Sequence, residues 1–353
     1  MQKRNLKFFR AVNEALHVAM QKDKNVICYG LGTDDPKGVF GTTLGLRENF
    51  GPERVFDMPT SENSMTGIAI GAALNGIRPV MTHQRLDFFL LAMDQLVNNA
   101  AKWHYMFGGK HSVPITIRLI LGRGWGQGPT HSQNLQAWFA HIPGLKVVAP
   151  ATASDAKGLL LSSIFDPNPV IFLEQRWLHN VEGHVPAGDF RVALGQAKVL
   201  RHGDAATIVA SSYMTIEALQ AVKVLSKNGV ECDVVDLRTL CPLDWKTIFS
   251  SVKKTGRLLV LDTGNETCSV ASEIVARVSM ELFSSLKGAP RRIALADVPT
   301  PTSPTLTKVF YKGAEDIVKA IGQMLRKDIP FEDLNNKSAC PHDVPGDWFK
   351  GPF

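Results

Sequence analysis

Three short stretches of this 353-residue chain hold side chains that could do chemistry. In Thr60-Ser61-Glu62, an acid opens a segment of small residues that runs MTGIAIGAA. A carboxyl group at such a place can take part in proton transfer. In Asp87-Phe88-Phe89, two aromatic rings follow a strand-like run, where one could stack on a planar ligand. In Thr130-His131-Ser132-Gln133, an imidazole stands just beyond a glycine-rich loop over 122–130, and imidazoles exchange protons near neutral pH.

Each stretch also has a plainer structural account. Ser61 can cap a helix, with Glu62 at the positive end of the helix dipole. Phe88 and Phe89 can be core aromatics, and His131 can bond within its own loop. Gly67 and Gly71 can let helices pack closely. Composition and spacing alone therefore reach a two-domain α/β enzyme of unspecified reaction.

Several chemistries are excluded. There is no GxxxxGK[ST], and the glycines of 122–128 alternate instead of following GxGxxG ahead of a helix, so a nucleotide loop is unsupported. No GxSxG or HExxH occurs. The formal charge is +6, but the basic residues are scattered in pairs such as Lys253-Lys254, with no run that would track a nucleic acid. The five cysteines are odd in number and form no CxxC, which speaks for a reducing cytoplasm; Cys28 and Cys232 are expected to be plain core residues. Neither a secretory signal nor a membrane-spanning stretch is expected.

The elements that must position these residues alternate between strand and helix. An amphipathic helix is expected over 5–22, with Leu6, Phe9, Val12, Ala15, Leu16 and Ala19 on one face. Strands follow over 26–31, 54–57, 78–81, 115–121, 146–149 and 170–173. Helices are expected over 62–75, 88–107, 132–141 and 153–165. A second alternating run starts at 207, where one helix over 214–228 stops at Asn228-Gly229. This predicts an α/β protein of two doubly wound domains, over 1–180 and 205–327, joined by a linker over 181–204. An irregular tail over 328–353, with Trp348, Phe349 and Phe353, is expected to cover an interface.

Long stretches then carry a family resemblance. Residues 54–73 (RVFDMPTSENSMTGIAIGAA), 92–102 (AMDQLVNNAAK), 130–148 (THSQNLQAWFAHIPGLKVV), 236–244 (DLRTLCPLD) and 253–260 (KKTGRLLV) resemble beta subunits of the decarboxylating component of 2-oxoacid dehydrogenases. The pyruvate, branched-chain and acetoin enzymes belong to that group. The resemblance spans about residues 5–327 in order.

It implies a thiamine-diphosphate pyrimidine-binding domain followed by a transketolase C-terminal-like domain. It also implies a heterotetramer of two alpha and two beta chains. The alpha chain would carry the GDG motif that binds magnesium and the diphosphate; this chain has no GDG. By the resemblance, the cofactor's own aminopyrimidine takes the proton from its thiazolium carbon. Glu62 is the carboxyl that hydrogen-bonds the aminopyrimidine, and Phe88 is the ring stacked on it. His131 is the proton donor as the acyl group passes to a lipoyl disulfide, while Ser132 and Gln133 shape the loop. Asp166 and Asn168 resemble ligands of a structural monovalent cation such as K+, although an Asp-Pro-Asn turn explains them too.

Two segments depart from the family pattern, Thr82-His83-Gln84-Arg85 and Gly264-Asn265-Glu266-Thr267-Cys268, and both leave the 2-oxoacid substrate and the need for a lipoyl acyltransferase core open. A non-oxidative carboligase subunit and a noncatalytic assembly subunit are the alternatives.

Overall fold

The structure, a computed structural model, describes residues 4–331 and 334. Most of the tail expected over 328–353, including Trp348, Phe349 and Phe353, lies outside the described residues. The chain divides into two compact units. One comprises the residues up to Gly122 with Trp138–Leu194, and the other Arg123–Ala137 with the residues from Gly195 onward.

The first unit contains β1 (Asn5–Lys7), α1 (Phe8–Lys22), β2 (Val26–Gly30), α2 (Leu46–Phe50), β3 (Val55–Asp57), α3 (Glu62–Leu74), β4 (Arg78–His83), α4 (Leu86–Phe89), α5 (Ala101–Met106) and β5 (Thr116–Leu121). After α6 (Gln136–Ala140), which begins in the second unit, come β6 (Lys146–Val148), α7 (Ala153–Ile164), β7 (Val170–Gln175) and β8 (Glu182–His184). Six of its strands form a parallel sheet in the order β6-β7-β5-β4-β2-β3. The central strands β5 and β7 are buried along their whole length, as near-continuous apolar runs require when helices cover both faces. Their alternation with helices was legible in the sequence.

Three local details differ from expectation. The buried face of α1 starts at Phe8, while Leu6 belongs to β1, which pairs antiparallel with β8. The single helix expected over 88–107 is broken into α4, a 3₁₀ turn over Leu90–Ala92, a wide π turn over Gln95–Ala100, and α5. In the wide turn the amides of Asn98 and Asn99 bond back to Asp94 and Gln95 at 2.7 and 3.0 Å. The expected linker over 181–204 holds two strands, β8 and β9 (Lys198–Arg201), each paired within its own unit.

The second unit continues with β10 (Thr207–Ala210), α8 (Ser212–Lys227), β11 (Asp233–Asp236), β12 (Thr239–Cys241), α9 (Trp245–Thr255), β13 (Leu258–Asn265), α10 (Val270–Glu281), β14 (Arg291–Leu295), α11 (Pro304–Phe310) and α12 (Ala314–Leu325). Its sheet runs β14-β13-β10-β11-β9, parallel except for β9. Helix α8 stops at Asn228, and Gly229 takes the left-handed φ of 70° that the expected stop signal calls for. Cys28 and Cys232 are buried, and burial pushes their thiols up to about 11 and about 12, so both are inert core residues. Among the described residues, no helix is long and apolar enough to cross a membrane.

Candidate active site

Ligands of parallel α/β sheets bind beyond the carboxyl ends of the strands, near the point where strand order reverses. In the first unit that point is β2, which has β3 on one side and β4 on the other. Gly30 ends β2, and a Cβ there would lie 2.1 Å from the Thr82 carbonyl oxygen, so only glycine allows the two strand ends to meet so closely. Glu62 follows β3 and Phe88 follows β4, so both candidates stand on this side of the sheet.

Glu62 is the first residue of α3 and is only 4% exposed. Ser61 occupies the cap position, but its side chain makes no capping hydrogen bond, so the capping account of Ser61 does not hold. The Glu62 backbone carbonyl accepts from Thr66 Oγ1 at 2.8 Å, and the Tyr29 hydroxyl donates to the Met65 carbonyl at 3.3 Å, which fixes the first turn. Among the described residues the Glu62 carboxylate has no hydrogen-bond partner.

The aromatic pair divides its work. Phe89 is fully buried, edge-on to His83 with ring centroids 4.9 Å apart. Phe88, on the same short helix, is half-buried. Of the two, Phe88 is the more exposed and Phe89 serves the core. Helix α3 packs against β4 and against the turns that continue from α4, which places the Glu62 and Phe88 elements side by side.

His131 belongs to the second unit, on the loop between β5 and α6. The loop is tied down on both sides of the histidine. Arg123 lies between Tyr213 and Tyr311, 4.3 and 4.5 Å from their ring centroids, and the Gly124 N–H donates to the Tyr311 hydroxyl at 2.8 Å. Gln136 Nε2 donates to Asp262 Oδ1 at 2.6 Å and to Thr263 Oγ1 at 2.9 Å. Between these anchors, Gly124, Gly126 and Gly128 take left-handed φ values, and a Cβ on Gly128 would lie 2.5 Å from a Thr302 methyl. His131 is half-buried with Nδ1 3.0 Å from the Thr130 hydroxyl, while Ser132 is buried. Thr130 and Gln133 line a cleft of about 710 Å³ with Asn265 and Thr267, so the second departing segment faces the histidine loop.

Asp166 and Asn168 sit elsewhere. Their turn precedes β7, at the amino edge of the sheet, opposite to the side of Glu62 and Phe88. Arg78 Nη1 donates to the Ile164 and Asp166 carbonyls at 3.1 and 3.2 Å, and Lys146 Nζ donates to the Asp166 carboxylate at 2.5 Å. The Asn168 N–H donates to Asp166 Oδ1 at 2.9 Å, as in an ordinary Asx turn. Two cationic side chains thus already meet the Asp166 oxygens, while Asn168 Oδ1 is buried with no hydrogen-bond partner among the described residues.

The first departing segment is largely buried. His83 is 1% exposed and Arg85 2% exposed, at the end of β4 and the start of α4. Burial pushes the His83 imidazole down to about 3, so it is neutral across the physiological range. Arg85 lies over Phe40, and so does Arg176 beyond β7; no motif in the sequence singled out Phe40 or Arg176.

Comparison with known proteins agrees with this fold. Residues 4–180 match the family model for the transketolase pyrimidine-binding domain, and residues 195–317 match the transketolase C-terminal domain. The chain is 41% identical over 333 residues to the beta subunit of acetoin:2,6-dichlorophenolindophenol oxidoreductase from Cupriavidus necator, covering 92% of this chain and 98% of that one. It is 41% identical over 314 residues to the pyruvate dehydrogenase E1 component subunit beta of Rickettsia felis, covering 88% and 96%. A solved structure described as a split-gene transketolase, inactive beta4 tetramer, superposes with a TM-score of 0.74 at 22% identity over 91% of this chain and 98% of that one, a likeness of fold.

Proposed function

Because the chain belongs to the thiamine-diphosphate-dependent, transketolase-type family that includes pyruvate dehydrogenase E1 and acetoin oxidoreductase beta subunits, we propose that it is the beta half of a heteromeric enzyme that decarboxylates a 2-oxoacid and passes the acyl group to lipoamide. The observation that carries this reading is Glu62, a residue 4% exposed at the start of α3, whose carboxylate has no hydrogen-bond partner among the described residues, on the carboxyl side of the sheet. The side chains present fit an aminopyrimidine. Glu62 supplies a hydrogen-bonding carboxyl for a ring nitrogen, and the half-buried ring of Phe88 supplies a stacking surface.

Thiamine diphosphate, when bound, supplies the carbon nucleophile and the electron sink for loss of carbon dioxide. Glu62 holds the hydrogen bond that sets which nitrogen of the pyrimidine carries a proton. Phe88 and the apolar start of α4 keep water from that ring. His131 donates a proton at the departing sulfur during acyl transfer, a task for which its half-buried place on a loop pinned by Arg123 and Gln136 is suited. The diphosphate and magnesium are assigned to an alpha subunit with a GDG motif, because this chain contains none. We assign no step to a monovalent cation at Asp166 and Asn168.

Calorimetric titration of thiamine diphosphate with magnesium tests the split site. Binding is expected to this chain co-expressed with its alpha partner and not to the chain alone. Tight, magnesium-dependent binding to the chain alone would overturn the two-subunit reading.

A further inference from the structure

The cleft of about 710 Å³ beside the histidine loop is lined wholly by the second unit. It lies beyond the carboxyl ends of β13 and β14, the side on which parallel sheets bind their ligands. Gly264, next to the end of β13, has no room for a side chain. A Cβ there would lie 3.0 Å from the Asn134 carbonyl oxygen and 2.9 Å from Gln136 Nε2, so the histidine loop is seated directly on that strand.

Two buried polar atoms of the lining residues are left over. Ser132, 1% exposed, and Asn134, 7% exposed, both line the cleft. Neither the Ser132 hydroxyl nor Asn134 Oδ1 has a hydrogen-bond partner among the described residues. Asn134 Nδ2 donates to the Ser132 carbonyl at 3.1 Å, and a carbonyl can only accept, so the oxygen of that amide is the end left open. Buried polar groups are normally hydrogen-bonded, and leaving one without a partner is costly. A hydroxyl donor and an amide acceptor, two residues apart on one loop, match the C=O and N–H of an amide.

The rest of the lining is neutral except at one place. Leu135, Leu295, Val298 and Pro299 supply apolar wall, and Asp297 is the only charged side chain lining the cleft among the described residues. Thr267 donates to it from its N–H at 3.0 Å and its hydroxyl at 2.5 Å, which holds the carboxyl below its usual range and so anionic at neutral pH. Glu266 beside it is paired with Arg292 at 3.2 Å. An anionic ligand would meet a carboxylate and no lining cation, whereas a neutral chain of methylenes ending in an amide meets apolar wall and the two open polar atoms.

We propose that this cleft receives the arm of the acyl acceptor and recognises its amide, with the Ser132 hydroxyl donating to the amide oxygen and Asn134 Oδ1 accepting from the amide N–H, so that the acceptor is a neutral amide and not the free acid. Assigning the amide to the acceptor rests on the proposed acyl transfer and on His131, which stands between the lining residues Thr130 and Ser132; the amide site itself does not.

The co-expressed complex is titrated with lipoamide and, separately, with lipoate by saturation-transfer NMR, and acylation of each is followed at saturating 2-oxoacid. Lipoamide is expected to bind about tenfold more tightly than lipoate and to show a KM lower by a like factor. Ser132→Ala should raise the KM for lipoamide about tenfold with little change in kcat. Asp297→Asn, at an exposed position, should bring the affinity for lipoate severalfold closer to that for lipoamide. Equal affinity for the two compounds, or a preference unchanged in both variants, overturns the amide site. Lipoamide that binds with the expected preference but takes no acyl group from a complex that turns over a 2-oxoacid overturns its assignment as acceptor. If the complex decarboxylated no 2-oxoacid, the proposed function would fail, while a preference for lipoamide that responds to the two variants would still support the amide site.

Discussion

Arg118 on β5 and Glu174 on the neighbouring β7 form a two-point ion pair, with Nε and Nη2 donating to the two carboxylate oxygens at 2.5 and 3.0 Å and both side chains wholly buried. Arg118 also donates to Thr82 Oγ1 at 3.2 Å and Thr42 Oγ1 at 2.9 Å, so the pair joins the sheet to the loop that carries Phe40. Removing one partner strands the other charge in the interior. Glu174→Gln is expected to cost about 3–5 kcal/mol of stability, whereas loss of a surface pair costs about 0–1 kcal/mol. Denaturant unfolding of the purified complex would measure it, and a cost below 1 kcal/mol would show that the pair is dispensable.

Stability should fall as the solution is acidified from neutrality. Burial holds His83 and His179 neutral, down to about 3 and about 4, while in the unfolded chain each takes a proton near 6.5. Below about 6.5 the unfolded state therefore binds more protons, and stability declines with pH by about 1.4 kcal/mol per unit for each such histidine. Burial alone would raise the Glu174 carboxyl, but Arg118 and His179 outweigh it and hold it below the usual value, which adds a further loss below about 4.5. Thermal unfolding of wild type and His83→Phe between pH 7 and 5 checks the sign. The variant should have a flatter profile, and an identical slope would remove His83 from the account.

Glu62→Gln should lower turnover of the assembled enzyme by about 10²–10⁴-fold while the complex still forms, because the amide cannot replace the carboxyl in setting the protonation of the bound ring. Turnover with the cognate 2-oxoacid and gel filtration together read this out. Unchanged turnover would sink the catalytic assignment and favour an assembly role for the chain.

The two phenylalanines should separate cleanly. Phe88→Ala is expected to weaken cofactor binding by about 0.5–1.5 kcal/mol, the scale of a stacking contact. Phe89→Ala should act on the fold at about 3–5 kcal/mol, since that ring is fully buried against His83. Cofactor titration and unfolding of both variants give the comparison, and the reverse pattern would exchange their roles.

His131→Gln should reduce acyl transfer to lipoamide by about 10²–10⁴-fold and affect dichlorophenolindophenol reduction far less, since the dye requires no protonated sulfur leaving group. Equal losses with both acceptors would place the histidine ahead of acyl transfer.

The sequence by itself determined the two α/β runs, because buried parallel strands read as short apolar bursts and their helices as periodic stretches. Glu62, Phe88 and His131 became candidates through the family resemblance of the contiguous motifs that hold them, since composition and spacing alone left each with a plainer structural account. It could not separate Phe8 from Phe9 as the start of the buried face of α1, or foresee the break within 88–107, because one-residue offsets and turn widths depend on what the helix packs against. The pairing of β1 with β8 likewise joins segments too far apart for any local pattern to show. The same holds for the surroundings of Phe40. Phe40, Arg85 and Arg176 follow three different strands, and only the order of those strands in the sheet brings two guanidinium groups onto one ring. Local periodicity records which face of an element is buried; it carries no information on which distant charges end up sharing the same few ångströms, and that was decided by the tertiary structure.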